Sequence, residues 1–184
     1  MKPANVLINE DGHCKLTDFG LSKEGIKDSY STYSFCGSVA YLAPEVLRRE
    51  GHSKNVDWYL LGVCLYELLF GEPPFYSEDT TKMHNDIVHT EVKIPKEASK
   101  NCKDLLKKLL CKDPRKRLGT KKGASEIRKH KFFKNINWDE VLNKQIEVPP
   151  ARKPEIKSKN YPPSEVFGDY LDFESEYNMD NWSF

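Results

Sequence analysis

Residues 5–20 read NVLINEDGHCKLTDFG, and the fold turns on how this stretch closes on itself. Val6-Leu7-Ile8 is a short apolar run, Asn9-Glu10-Asp11-Gly12 carries the Asp-Gly signal of a tight reversal, and Cys14-Lys15-Leu16 resumes the strand pattern. Two short strands joined by a turn are therefore expected. The second strand delivers a carboxylate, Asp18, to its own end and is followed by Phe19-Gly20. Local backbone bonding makes Asp and Gly common in turns, so a plain turn is one reading. A strand-end carboxylate that holds a metal is the other, and it requires partners elsewhere in the chain.

Composition narrows the classes before any partner is sought. The 29 basic and 28 acidic side chains nearly cancel, leaving no one-signed field for nucleic acid or an anionic membrane. No apolar run approaches the roughly 20 residues that span a bilayer, and the N-terminus lacks a signal-peptide pattern. At 184 residues, with 38% hydrophobic and 11% aromatic content, the chain has the material for one folded domain. Its five cysteines, at 14, 36, 64, 102 and 111, form no C-x-x-C pair. Free or buried thiols in a reducing, cytoplasmic compartment are the expectation.

Along the chain, Ser22 to Ser34 is polar and without period, a loop of a length more often functional than connective. VDWYLLGVCLYELLFGEPPF (56–75) reads as a long buried helix that ends near Gly71 and the Pro73-Pro74 pair. SKNCKDLLKKLL (99–110) places Cys102, Leu105, Leu106, Leu109 and Leu110 at helical spacing, with lysines on the other face. ASEIRKHKFF (124–133) and NWDEVLNKQ (137–145) are shorter helical candidates. After Val148 five prolines and then an acidic end read as an extended tail.

The partners of Asp18 lie at the start of the chain. KPAN (2–5) supplies Lys2 and Asn5 just before the first strand. A hairpin with its ends side by side sets the Asn5 amide oxygen near the Asp18 carboxylate. Two hard oxygen ligands plus phosphate oxygens suit magnesium, which keeps waters and takes ligands from its nucleotide. Lys2 is placed to neutralise charge on a transferring phosphoryl group.

FCGSVAYLAPEVL (35–47) follows the long loop, so that K-x-x-N, D-F-G and A-P-E occur in that order. The set resembles the eukaryotic protein kinases. Within them, SFCGSVAYLAPEVL, VDWYLLGVCLYELLFGEPPF, and DPRKRLG followed by EIRKHKFFKNINWDEV resemble the AGC group, which holds protein kinase A, protein kinase B and the cyclic-GMP-dependent kinases. The fold this implies is mainly α: the large C-terminal lobe of a kinase with a short β-hairpin, missing the N-terminal lobe. Residues 1–133 would be the kinase domain, with a catalytic-loop remnant at 1–8, D-F-G at 18–20 and the activation segment at 18–45. Residues 134–184 would be an AGC-type C-terminal tail.

The resemblance also implies roles. Asp18 and Asn5 would hold magnesium on ATP, Lys2 would contact the transferring phosphate, and Leu7 and Thr17 would line the adenine side. Ser34 matches an activation-loop phosphosite served by an upstream kinase, and Ser183, in the terminal MDNWSF, a hydrophobic-motif phosphosite. Ser38 and Glu67 match substrate-facing positions, Glu67 the acid that receives arginine in basophilic members. The Ala4 of K-P-A-N departs from the Glu of many such relatives. Glu45 with Arg117 matches a buried ion pair and Asp57 a brace of the catalytic loop, three structural roles.

The resemblance implies a serine/threonine kinase acting on a protein substrate with ATP and Mg2+. It covers the latter half of a kinase, without the Gly-rich cover or the His-Arg-Asp base, and no turnover is expected from these 184 residues alone. The rival expectation is a truncated, non-catalytic interaction module that competes for kinase partners or substrates.

Overall fold

The computed structural model describes residues 1–26, 32–33 and 37–148. Strand β1 (Val6–Ile8) pairs antiparallel with β2 (Cys14–Leu16), Val6 opposite Leu16, Leu7 opposite Lys15 and Ile8 opposite Cys14. The reversal is closed by the Asn9 N–H on the His13 carbonyl and the Gly12 N–H on the Asn9 carbonyl, each at 2.9 Å. Gly12 turns the chain at φ 79°, a left-handed conformation glycine adopts without steric penalty.

The remaining regular structure among the described residues is helical: α1 (Pro44–Leu47), α2 (Asn55–Phe70), α3 (Thr80–His89), α4 (Lys100–Leu109), α5 (Ala124–Arg128) and α6 (Trp138–Leu142). Single 3-10 turns span Pro3–Asn5, Val39–Tyr41 and Lys131–Phe133. No helix among the described residues is long and apolar enough to cross a membrane.

Helix α2 is the axis of the core. It is apolar on several faces because it is enclosed by other elements, burying Tyr59, Gly62, Val63, Cys64 and Tyr66. A Cβ on Gly62 would lie 2.9 Å from Leu109 Cβ and 3.1 Å from Leu110, so the missing side chain sets the approach of α4. The helix stops at Gly71, φ 91°, whose N–H returns to the Glu67 carbonyl at 2.8 Å. Burial fails in the last turn, where Leu68 is 63% and Leu69 45% exposed. The expectation of a buried helix is corrected for that outward face, while Phe70 of the same turn packs on the core against Tyr66.

Around this axis, α1, α3 and α4 contribute Val46, Leu47, Met83, Ile87 and Leu106 to one core cluster, joined by Leu110 just past α4. Leu105, Leu109 and Ile127 form a second, with Trp58, Phe132 and Phe133 against it. Helix α4 starts at Ser99, whose hydroxyl accepts the Cys102 N–H at 3.2 Å. Helix α3, which the hydrophobic pattern does not reveal, starts at Asp79, capped through the Thr81 and Lys82 N–H groups.

The stretch 124–133 is two elements, not one. His130 breaks it: its backbone is extended, and its Nδ1 accepts the Phe132 N–H at 3.2 Å, so the side chain starts a new turn. That acceptor role leaves the proton on Nε2, which lies 2.8 Å from the Asp104 carboxylate and ties the turn to α4. Beyond residue 133 the fold continues. Trp138 of α6 stacks edge-on with Phe133 at 5.4 Å and donates its indole N–H to the Arg128 carbonyl. Cys64 and Cys102 are buried, Cys111 is half-buried and Cys14 exposed, all four as free thiols. Cys36, Ser34, Ser183 and the tail from residue 149 onward lie outside the described residues.

Candidate functional site

The hairpin decides the site. Its ladder runs one step past β2, the Thr17 N–H donating to the Asn5 carbonyl at 3.0 Å. That step brings the two chain ends together, and Asn5 Nδ2 donates to Asp18 Oδ2 at 3.1 Å. The residues predicted to converge are thus adjacent side chains. The amide nitrogen, not the expected oxygen, faces the carboxylate; Asn5 Oδ1 and Asp18 Oδ1 remain as hard oxygen donors, of the type that suits a magnesium ion sharing its shell with phosphates and water. No group of three or more His, Cys, Asp or Glu that could hold a metal occurs among the described residues.

Asp18 also sits at φ 61°, the left-handed region that a non-glycine residue occupies at a strain of about 1–3 kcal/mol. Strain of this kind persists only where surrounding structure over-determines it. Here the ladder stops one residue before Asp18, and a Cβ on Gly20 would stand 3.5 Å from Asp18 Oδ1.

A cleft of about 490 Å³ opens beside this pair, lined by Lys2, Asn5, Asp18, Ser38, Tyr41 and Asp57 among others. It gathers five of the sequence-predicted residues. Lys2 precedes the 3-10 turn Pro3–Asn5, and Ser38 precedes the turn Val39–Tyr41. Asp57 lies in the first turn of α2. Desolvation by its surroundings pushes the Asp57 carboxyl above its ordinary range, against the pull of the amino-terminal charge and His52. Leu7 and Thr17 do not line this cleft; they are solvent-exposed on the hairpin.

Glu45 and Arg117 meet in a two-pronged ion pair, Nη1 to Oε1 at 2.7 Å and Nη2 to Oε2 at 2.9 Å. Both residues are 2% exposed. Burial is tolerated because the guanidinium is fully used: Nε donates to the Cys111 carbonyl and Nη1 also to the Asn55 carbonyl. One group therefore fastens α1, the start of α2 and the loop after α4.

Glu67 has a partner that the sequence reading did not identify. The Tyr41 hydroxyl donates to Glu67 Oε2 at 2.7 Å, and burial followed by that carboxylate's charge pushes the Tyr41 hydroxyl far above the ordinary tyrosine range. Residues 26 apart on different elements leave no local signal for such a bond. The same holds for the backbone bridge between Thr32 and His52, which attaches the long loop to the segment between α1 and α2.

The protein kinase domain family matches residues 1–133. Human serine/threonine-protein kinase Sgk2 is 48% identical over 149 residues, covering 81% of this chain and 41% of that protein. Serine/threonine-protein kinase Sgk1 of Gallus gallus is 46% identical over 149 residues, 81% of this chain and 34% of its own length. Human Sgk1 gives 46% over the same length, 35% of that protein. The chain therefore spans about two fifths or less of the length of these relatives. It belongs to the protein kinase domain family. Its Sgk relatives place it in the AGC group of serine/threonine kinases.

Proposed function

We propose that this chain supplies the metal-holding and substrate-facing side of a serine/threonine kinase site, which transfers the γ-phosphoryl of ATP to a protein Ser or Thr. The observation that carries this is the 3.1 Å contact between Asn5 and Asp18 across the base of the hairpin, at the two positions that the kinase motifs assign to metal binding. Asn5 and Asp18 hold Mg2+, which when bound neutralises the nucleotide's phosphate charge and fixes its orientation.

The chain's own residues do the rest by position and charge. Lys2 faces the same cleft and offsets negative charge on the transferring group. Ser38, at the mouth of the turn that follows the activation loop, orients the acceptor hydroxyl. Glu67 keeps Tyr41 on one carboxylate oxygen and offers the other to an arginine of the substrate. Glu45, Arg117 and Asp57 hold the scaffold beneath them. Leu7 and Thr17 face an adenine pocket whose opposite wall comes from a nucleotide-binding lobe.

The hairpin's exterior supports that last element. Leu7, Ile8, Leu16 and Phe19 are each about half exposed or more, an apolar surface of the kind an interacting body covers. The resemblance assigns removal of the acceptor proton to the aspartate of His-Arg-Asp in the catalytic loop, a motif that does not occur in the 184 residues. Residues 1–133 are the kinase domain part in this reading and 134–184 the AGC tail, with Ser34 and Ser183 as phosphosites for an upstream kinase.

The test is a chimera that joins this chain to the nucleotide-binding half of human Sgk2, assayed on an arginine-containing Ser/Thr peptide. The expected result is measurable phosphotransfer that falls by roughly a hundredfold or more with Asp18→Asn, as for loss of a group that stabilises charge in the transition state. Equal rates for parent and variant would contradict the proposal.

A further inference from the structure

The near-balance of charge over the whole chain conceals a segregation. Residues 100–134 carry fourteen of the 29 basic side chains and three of the 28 acidic ones, so the remainder of the chain is net acidic. Ten of the fourteen are exposed, nine of them lysines.

The fold gathers these cations on one body. Leu105 and Leu109 of α4 share an apolar interior with Ile127 of α5, and Phe132 and Phe133 pack against it. Three cross-links hold the stretches side by side: the Leu118 N–H on the Lys108 carbonyl at 3.1 Å, His130 Nε2 on Asp104 at 2.8 Å, and Asn101 Nδ2 on the Lys131 carbonyl at 3.5 Å. With its leucines turned inward, α4 leaves Lys107 and Lys108 on the solvent side. Lys121, Lys122, Lys129 and Lys131, on the stretches fastened to it, are exposed as well.

The acids of the segment are engaged locally. Asp104 accepts from Lys108 Nζ at 2.7 Å and faces His130. Asp113 accepts from Arg115, and Glu126 accepts the backbone N–H groups of Lys121 and Lys122. The neighbouring α6 adds Asp139 and Glu140, too few to cancel the excess. The chemistry of the cations points to a diffuse partner. Lysine is a compact, strongly hydrated charge on a flexible stem, whereas reading a single phosphate or a base edge favours arginine forks. Arg115 is the one exposed arginine of the segment, and Asp113 takes it. The aromatic rings that could stack on bases are spent on each other, Phe132 with Phe133 at 5.0 Å and Phe133 with Trp138 at 5.4 Å. Two apolar side chains follow the cations in the chain, Ile136 at 44% and Leu142 at 70% exposure, a combination that suits a lipid headgroup layer.

We propose that α4, α5 and the turn after it form a docking face for an anionic lipid surface, of the kind that phosphatidylserine gives a membrane leaflet. The lysines supply the attraction, and Ile136 and Leu142 add apolar contact at the headgroup boundary. None of these lysines lines the cleft that holds Asn5 and Asp18, so the proposal does not depend on phosphotransfer by this chain.

The full chain can be sedimented with vesicles of phosphatidylcholine alone and of phosphatidylcholine mixed with phosphatidylserine, over a series of ionic strengths. Binding is expected to the mixed vesicles only, and to weaken as salt screens the field. A lysine near a charged leaflet strengthens binding by roughly fivefold. Lys107→Gln, Lys121→Gln and Lys131→Gln combined should therefore weaken it by about tenfold or more. Lys15→Gln, Lys93→Gln and Lys96→Gln combined remove the same charge from elsewhere and should leave it within about threefold of the parent. Should the first triple variant fail to fold, Lys121→Glu alone serves as the comparison. Equal binding to both kinds of vesicle, equal weakening by the two triple variants, or binding to duplex DNA that survives the salt at which vesicles are released would overturn the proposal.

Discussion

Arg117 and Glu45 carry the largest single-residue stake in stability. Both are buried and each satisfies the other, so replacing Arg117 with Met strands a carboxylate in the core at a penalty of about 3–5 kcal/mol. Urea unfolding should register that loss for Arg117→Met; a change of under about 1 kcal/mol, the range of a surface pair, would contradict the buried-pair reading. Lys112 makes a different prediction. Its ammonium donates to the Ile87 carbonyl and lies 3.9 Å from the centre of the Phe75 ring, where desolvation brings it from 10.5 down to about 8. Between those pH values the unfolded chain binds the proton that the folded one has released, so stability rises with pH across that window. Denaturation midpoints at the two ends should differ in that direction in the parent and not in Lys112→Met; a reversed or unaltered slope would refute the assignment. The ion pair is legible in the sequence only through the family resemblance, since its partners stand 72 positions apart. The cap that Lys112 places on the end of α3 has no sequence signature, because it is made to backbone.

At the scale of elements, the hairpin was readable because everything that makes it is local: the apolar run Val6-Leu7-Ile8, an Asp-Gly reversal, and the strand pattern resumed at Cys14-Lys15-Leu16. Helices α2 and α4 were readable for a related reason, a long apolar run in one and a leucine stripe in the other. Helix α3 escaped because only Met83, Ile87 and Val88 mark its buried face in a segment that is otherwise polar. The sequence 124–133 misled because helical propensity extends through His130, while the His130 side chain takes the backbone bond that would have continued the helix. The contact of α2 with α4 supplies the test at this scale. Gly62→Ala forces a methyl to within 2.9 Å of Leu109 Cβ, and overpacking of this kind lowers stability by about 1–3 kcal/mol. Helix propensity alone favours Ala over Gly by about 1 kcal/mol, so a stabilised variant in thermal unfolding would mean that the two helices are not in close contact.

Across the molecule, a helical body built on α2 presents one short hairpin whose base forms a wall of a cleft. The body is tied to the hairpin at its tip as well, where Lys144, just past α6, bonds Asp11 at 3.1 Å. The Asp11 carboxyl, which also accepts the His13 N–H, is held down to about 2. Of the residues singled out in the sequence, Lys2, Asn5, Asp18, Ser38 and Asp57 line one cleft, and Leu7, Thr17 and Glu67 are not among its lining residues. What the sequence did not convey were the cross-links Tyr41 to Glu67 and Thr32 to His52, which join segments with no common periodicity. Everything proposed about phosphotransfer rests on Asn5 and Asp18 sharing a divalent ion. The direct measurement is amide and side-chain NMR of the 184-residue chain in ATP, titrated with Mn2+ as a paramagnetic stand-in for Mg2+. The Asn5 side-chain amide and the Asp18 backbone signal should broaden first, and Asp18→Asn should abolish the effect. Broadening that begins at other carboxylates while Asn5 and Asp18 stay sharp would contradict the shared-ion site.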